Sequence, residues 1–159
     1  MDVVSVALHA IYVFLPAYFA NATPTIFGGG KPIDFNHNFI DGRRILGDNK
    51  TIRGFVSGVA TGMAVGFLQE EPLRGAILSL GALTGDLFGA FFKRRLGLDP
   101  GAPLPIIDQL DFVAGALVFS ANFFSIDTTA VFFIVVLTPF IHFFTNVVAY
   151  LLKLKSRPW

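Results

Sequence analysis

Five long apolar runs, separated by polar stretches of very unequal length, organise this chain. A bilayer-spanning helix needs about 20 mostly apolar residues, and somewhat fewer where the bilayer thins. Runs of that kind fall at approximately 3–20, 54–68, 74–92, 110–126 and 129–152. The pattern predicts an all-α integral membrane protein, with one transmembrane domain over 1–159 and five transmembrane helices. Two long polar loops, 21–53 and 93–109, alternate with short connections near 69–72 and at Asp127. In the first long loop, Pro24, Gly28, Gly29, Gly30, Pro32, Gly42 and Gly47 exclude a long helix. Phe27, Ile33, Phe35, Phe39, Ile40, Ile45 and Leu46 supply it with apolar anchors, as expected of a functional loop more than of a linker.

Composition agrees with the pattern. The chain is 53% hydrophobic and only 14% charged, where a soluble domain carries roughly 25% charged residues. With a mean hydropathy of +0.65, this excludes ordinary soluble, disordered and nucleic-acid-binding classes. There is no cysteine, so no disulfide, thiolate nucleophile or cysteine-bound metal. Ala20-Asn21-Ala22 imitates a signal-peptide cleavage site, but the segment ahead of the first run is Met1-Asp2, acidic where a signal peptide is basic. The run is therefore read as the first span.

Charge sets the expected orientation. Lys31, Arg43, Arg44, Lys50 and Arg53 lie in the first long loop, Lys93, Arg94 and Arg95 in the second, and Lys153, Lys155 and Arg157 in the tail. Only Arg74 of the 12 basic residues falls on the other set of loops. The positive-inside rule then places the N-terminus outside, and both long loops and the C-terminus in the cytoplasm. The expected protein is a multi-pass component of the cell membrane whose polar site faces the cytoplasm at the membrane surface.

Two glycine stripes mark close helix packing. Gly54, Gly58, Gly62 and Gly66 repeat every four residues in the second run, as do Gly81, Gly85 and Gly89 in the third. Each stripe lines one helical face, where small residues let backbones approach.

Ionisable residues inside a span cost about 2.5 to 3.5 kcal/mol at its centre and need a reason. Asp86 lies seven residues before Lys93, about 10 Å along a helix and on the same face, so either Lys93 or a divalent ion would answer its charge. Asp108 and Asp111 share a face at the mouth of the fourth span, where they could instead simply cap the helix. Asp86, Asp108 and Asp111 are hard ligands suited to Mg²⁺, beside the cations Lys93, Arg94 and Arg95. In the last run, Thr138, His142 and Asn146 recur at helical spacing around Pro139 and read as packing polarity. Gly30-Lys31 fails as a P-loop, because Thr25 and Pro32 stand where glycine and Ser/Thr are required. The glycosylation triplets at Asn21 and Asn49 fall on the cytoplasmic side and carry no meaning.

Taken together, several motifs are similar to a known family. Pro16-Ala17-Tyr18-Phe19-Ala20-Asn21, Phe27-Gly28-Gly29-Gly30-Lys31-Pro32-Ile33-Asp34, and Asp41-Gly42-Arg43-Arg44-Ile45-Leu46-Gly47-Asp48-Asn49-Lys50-Thr51 with Arg53-Gly54 resemble the archaeal CDP-archaeol synthases. Gly85-Asp86-Leu87, Phe92-Lys93-Arg94-Arg95, Gly97 and Pro105 through Asp108-Gln109-Leu110-Asp111 are similar to a signature shared with CDP-diacylglycerol synthases. The chain departs from the bacterial enzymes in lacking a His-Gly-Gly insert and in having fewer spans.

The resemblance implies a Mg²⁺-dependent cytidylyltransferase that moves CMP from CTP to 2,3-bis-O-(geranylgeranyl)-sn-glycerol 1-phosphate and releases pyrophosphate. Such a reaction needs no nucleophilic side chain, because the lipid phosphate is already ionised. It needs charge neutralisation and alignment. The residues expected at the centre are Asp86, Lys93 and Asp111, with metal at Asp86, Asp108 and Asp111. Asn49, Lys50, Thr51 and Arg53 form one phosphate-binding block and Lys93 with Arg94 the other. Which block takes CTP and which the lipid stays open. The partners are CTP and a phosphorylated isoprenoid ether lipid, with no nucleic acid.

A CTP-dependent polyprenol kinase is the alternative, using similar polar loops but a hydroxyl attack on the γ-phosphorus. A CDP-alcohol phosphotransferase is disfavoured, since Ile45-Leu46 follows Asp41-Gly42 where that motif requires Ala-Arg. A channel or transporter would leave the one-sided cluster of cations unexplained.

Overall fold

The computed structural model describes residues 2–154; Lys155 and Arg157 of the cationic tail lie outside the described residues. Six helices follow in order: α1 (Val3–Ala22), α2 (Pro24–Phe27), α3 (Ile52–Leu68), α4 (Pro72–Arg95), α5 (Ile107–Ser120) and α6 (Thr128–Leu151). Among the described residues the only β-type pairings are two isolated bridges, Pro32 with Thr51 and Asn38 with Arg44.

Local chemistry explains the helix ends. Asp2 accepts from the Ser5 amide at 2.7 Å to start α1, the Thr51 hydroxyl accepts from Gly54 at 3.1 Å to start α3, and Asp127 accepts from Thr129 and Ala130 at 2.8 and 3.2 Å to start α6. Each replaces a helical partner that the first turn lacks. Pro72 opens α4 at the position where its missing N–H costs nothing. At the other end of α4, the Gly97 amide donates to Arg94 and the Leu98 amide to Lys93, both at 3.1 Å, with Gly97 at φ +78°. That is a Schellman motif, and Lys93, Arg94 and Arg95 in the last turn complement the helix dipole.

The α1 helix runs through the middle of the bundle, touching α3, α4, α5 and α6. Its Ala10, Phe14 and Ala17 meet Leu78, Ala82, Phe112, Val113, Ala116, Ala130 and Ile134 in the core. Tyr18 stacks edge-on against Phe14 and Phe112, and its hydroxyl pairs with that of Thr138 at 2.7 Å. Thr138 of the polar stripe in α6 therefore ties that helix to α1, while the Asn146 amide meets the His142 ring at 3.0 Å within the same helix.

The glycine stripes have separate partners. The buried residues of α3 are its four stripe glycines, and a β-carbon on Gly58 would stand 2.7 Å from the Ala20 carbonyl of α1 and 2.8 Å from Leu83 of α4. The stripe of α4 instead faces α5: a β-carbon on Gly81 would lie 2.7 Å from the Gly115 carbonyl. The second and third runs do meet, but through Gly66 against Gly75 and Gly62 against Ser79, so the Gly81–Gly89 stripe is left to bring α5 in close.

Three helical segments, Val3–Phe27, Pro72–Arg95 and Thr128–Leu151, are long and apolar enough to cross a membrane. Their outward faces carry Val3, Phe88, Phe140 and Phe144 at about two-thirds exposure or more, a surface suited to lipid and not to water. The protein is a membrane protein on these grounds. The α3 helix is apolar but only 17 residues long. The run expected at 110–126 differs most from its helix: α5 begins three residues earlier and stops at Ser120, whose carbonyl accepts from Phe123 and Phe124 in a turn. Its 14 residues reach about 21 Å, short of the roughly 30 Å hydrocarbon layer.

Candidate functional site

The first long loop is held by one carboxylate. Asp34, whose side chain is wholly inaccessible, accepts from the amides of Asn36, Leu46 and Gly47 at 3.2, 2.9 and 3.0 Å, and from the Arg44 guanidinium at 2.8 and 3.2 Å. Burial works against its charge, but the Arg44 contact and the three amides outweigh it and hold the carboxyl far below the usual range. Arg44 in turn reaches Asp48 at 2.8 Å. This hub closes residues 34–48 into a compact unit and delivers Asn49 and Lys50 to a cavity at the end of α4. Sequence reading assigned Asp34 no role. Its only signal was its place in the Lys31-Pro32-Ile33-Asp34 motif.

Beneath that unit lies a cavity of about 110 Å³, lined among others by Asn49, Lys50, Asp86, Lys93, Arg94, Asp108 and Asp111. Seven of the nine residues expected at the site thus converge, from the first loop, the end of α4 and the start of α5. Lys50 Nζ donates to both oxygens of Asp86 at 2.7 and 2.6 Å, and Lys93 Nζ to both oxygens of Asp108 at 2.7 and 2.8 Å. Lys93 therefore does not answer Asp86, as the shared helical face suggested. The partner is Lys50, brought in from 36 positions earlier in the chain. Asp111 sits against Gly89, where a β-carbon would overlap its carboxylate, and its other oxygen accepts from the Phe112 amide at 2.6 Å.

Simple capping does not account for Asp108 and Asp111. The N-cap position of α5 is Ile106, which offers no side-chain cap, while Asp108 accepts from the Leu104 amide at 2.8 Å as well as from Lys93. Ile106 takes φ +69°, a strained value for a β-branched residue, two positions before Asp108.

Arg94 is 4% exposed, and its Nη2 donates to the Asp99 carbonyl at 2.9 Å while Nε and Nη1 have no hydrogen-bond partner. Buried N–H groups of a guanidinium are costly when unpaired, so this arrangement suits an arriving anion. Thr51 and Arg53 are not brought into the cavity. Thr51 caps α3 and is buried, and Arg53 donates to the carbonyls of Phe27 and Gly28 at the end of α2. Arg95 also turns away from the cavity.

The carboxylates of Asp86, Asp108 and Asp111 are the right donors for a hard divalent cation. Among the described residues no group of three acidic or histidine side chains is gathered tightly enough to hold one. The lysine ammonium groups occupy the oxygens that such an ion would take. Lys50, Lys93 and Arg94 stand among the three carboxylates in the cavity, so a polyanion entering it adds negative charge that a divalent cation would offset.

A second, apolar groove lies alongside, formed by Ile33, Ile52, Phe55, Val56 and Leu87. It shares no lining residue with the cavity but is built from chain neighbours of the Lys50–Asp86 pair: Leu87 follows Asp86 on α4, and the Ile33 amide donates to the Lys50 carbonyl at 2.8 Å.

Comparison with known proteins is consistent over nearly the whole chain. The family model for CarS-like CDP-archaeol synthase matches residues 3–74 and 70–159. The CDP-archaeol synthase of Pyrococcus furiosus is 47% identical over 96% of this chain and 98% of its own length. That of Methanopyrus kandleri is 45% identical over 94% of this chain and 91% of its own. A solved structure described as an intramembrane enzyme for archaeal membrane lipids biosynthesis superimposes with a TM-score of 0.76 at 40% identity, covering 88% of this chain and 94% of that one.

Proposed function

The chain belongs to the CDP-archaeol synthase family, and from that premise we propose how its cavity joins a nucleotide to a lipid. The reaction is transfer of CMP from CTP to the phosphate of 2,3-bis-O-(geranylgeranyl)-sn-glycerol 1-phosphate. A lipid phosphate oxygen bonds to the α-phosphorus, the bond from that phosphorus to the bridging oxygen breaks, and pyrophosphate leaves. No proton has to be removed from the nucleophile, which fits a cavity whose lining holds no histidine.

The observation that carries this reading is the convergence of Lys50, Lys93 and Arg94 with three carboxylates at one cavity beside an apolar groove. Arg94, with two unpaired N–H groups, and Lys93 receive the CTP phosphates, while Lys50, at the groove, receives the lipid phosphate. The groove takes the first part of an isoprenoid chain. Both lysines exchange a carboxylate for a phosphate as substrates enter, and this frees Asp86 and Asp108. With Asp111, these would hold Mg²⁺, which when bound neutralises phosphate charge and helps to orient the reacting groups. The five helices α1, α3, α4, α5 and α6 cross or enter the membrane with the cavity on the cytoplasmic side, as the basic residues direct.

The test is incubation of purified protein with α-labelled CTP, Mg²⁺ and the ether-lipid phosphate. Label in the lipid with release of pyrophosphate is expected. With a polyprenol offered as acceptor in place of the lipid phosphate, release of CDP and transfer of the γ-phosphoryl group to its hydroxyl would instead establish a kinase.

A further inference from the structure

Arg43 and Arg95 each reach across to the backbone of the other's segment. The Arg43 Nη1 donates to the carbonyls of Arg94 and Arg95 at 3.3 and 3.0 Å, the last turn of α4. In return Arg95 Nη2 donates to the Arg44 carbonyl at 2.7 Å and more weakly to that of Arg43 at 3.4 Å, and Arg95 Nε stands 3.2 Å from Asp41. The Arg95 guanidinium lies 4.8 Å from the centre of the Phe39 ring, in the loop, and 4.7 Å from that of Phe91, in α4. These two rings meet edge to face at 5.3 Å. Gly97 is part of the same arrangement, because a β-carbon there would press within 3.0 Å of the Arg43 guanidinium.

None of these groups lines the cavity, yet Arg95 and Phe91 each adjoin a residue that does. Arg95 follows Lys93 and Arg94, and Arg43 precedes the 44–50 segment that carries Lys50. The two sides come together again at Gly47, where a β-carbon would lie 3.1 Å from Pro100 and 3.6 Å from Arg94.

We propose that Arg43, Arg95 and Phe39 form a latch that fixes the first loop on the end of α4 and so sets the separation of Lys50 from Lys93 and Arg94. They are positioning residues. An exposed ion pair alone contributes little, but a guanidinium lying against two rings that also touch each other, and bonded to a backbone carbonyl, is held by several contacts at once. Misplacing a phosphate ligand by about 1 Å is enough to cost roughly a hundredfold in rate. The proposal rests on the cytidylyltransferase reading only in using CTP as the probe.

The experiment opens and recloses the latch. The chain has no cysteine of its own, so Phe39→Cys with Phe91→Cys can be joined by a short bifunctional thiol reagent cleavable by reductant. Opened, this variant should bind CTP and turn it over at least about tenfold less well while keeping its melting temperature in detergent. Joined, it should recover most of both, and lose them again on reduction. Arg95→Ala should reproduce the opened state, and Arg95→Lys should not rescue it, because an ammonium can neither fork between carbonyls nor stack. Wild-type CTP affinity in the opened variant and in Arg95→Ala would overturn the latch, as would failure of the thiols to cross-link or failure of the joined form to recover. If wild-type protein does not convert CTP at all, it is the cytidylyltransferase reading that fails. Equal activity in wild-type and opened protein defeats the latch alone.

Discussion

Lys50 and Lys93 occupy both oxygens of Asp86 and Asp108, so removing a lysine has two effects at once. Lys50→Ala or Lys93→Ala should lower turnover at least about a hundredfold, since charge-assisted phosphate contacts are lost. Each should also leave an unpaired carboxylate that binds divalent cation more readily without nucleotide. Turnover combined with titration of Mn²⁺ by its paramagnetic signal checks both effects. For Asp86→Asn and Asp111→Asn, a folded protein whose activity is lost or needs much more Mg²⁺ supports ligation. An unchanged Mg²⁺ curve for either removes that residue from the metal site. Arg53→Ala should behave differently from the lysines, because Arg53 is committed to the end of α2. A moderate loss accompanied by lower thermal stability is expected. Asp34 gives a pH dependence. Its folded-state value lies below the ordinary carboxylate value of about 3.9. Its contribution is therefore fully present above that pH and lost as pH falls below it. Protection of the Leu46 and Gly47 amides from hydrogen exchange, corrected for intrinsic rate, should hold from neutral pH to about pH 4.5 and decline below. Loss of protection near pH 6 would exclude Asp34 as the hub.

At the level of elements, α4 organises the molecule, with α3 on one side, α5 on another and the cavity at its end. The contact with α5 depends on backbone approach at Gly81, Gly85 and Gly115. Gly85→Leu should prevent α5 from seating and strongly reduce the yield of folded protein, and Gly58→Leu should do the same where α3 meets α1. Both substitutions act on packing, so CTP binding should be normal in whatever fraction folds through a compensating change. Recovery of well-folded but inactive protein would show that these glycines serve the site directly. Thr51, expected in a phosphate-binding block, proves to cap α3, whereas the glycine spacing could be read along the chain because it is periodic. The partner of each stripe could not, since a small residue permits an approach without specifying which helix makes it. The early end of α5 was also hidden, because its apolar run continues past the Ser120 turn.

For the whole molecule, the one-sided distribution of basic residues predicts that both long loops face the cytoplasm. Gly30 and Gly101 are poor label sites, as each has a positive φ, whereas Lys31 and Asp99 are exposed on the same two loops. In sealed vesicles of known orientation, Lys31→Cys and Asp99→Cys should react only from the cytoplasmic side, and exposed Asn122→Cys only from the other. Reaction of Lys31→Cys from the outer side would overturn the five-span arrangement.

Some of this protein is written in the chain itself. Membrane residence follows from hydrophobic runs, close helix packing follows from the period of the glycines, and the family shows in two polar blocks. These features depend on neighbours in sequence or on composition, so no fold has to be known. What each charged residue does was decided only by tertiary structure. Lys50 meets Asp86 across 36 positions, Lys93 turns to Asp108, and Arg95 leaves the phosphate cluster for the rings of Phe39 and Phe91. Helical spacing can state which side chains share a face, but a charge near a membrane takes whichever counter-charge the packed loops bring within reach. Here the first loop, folded around Asp34 and seated on the end of α4, makes that choice.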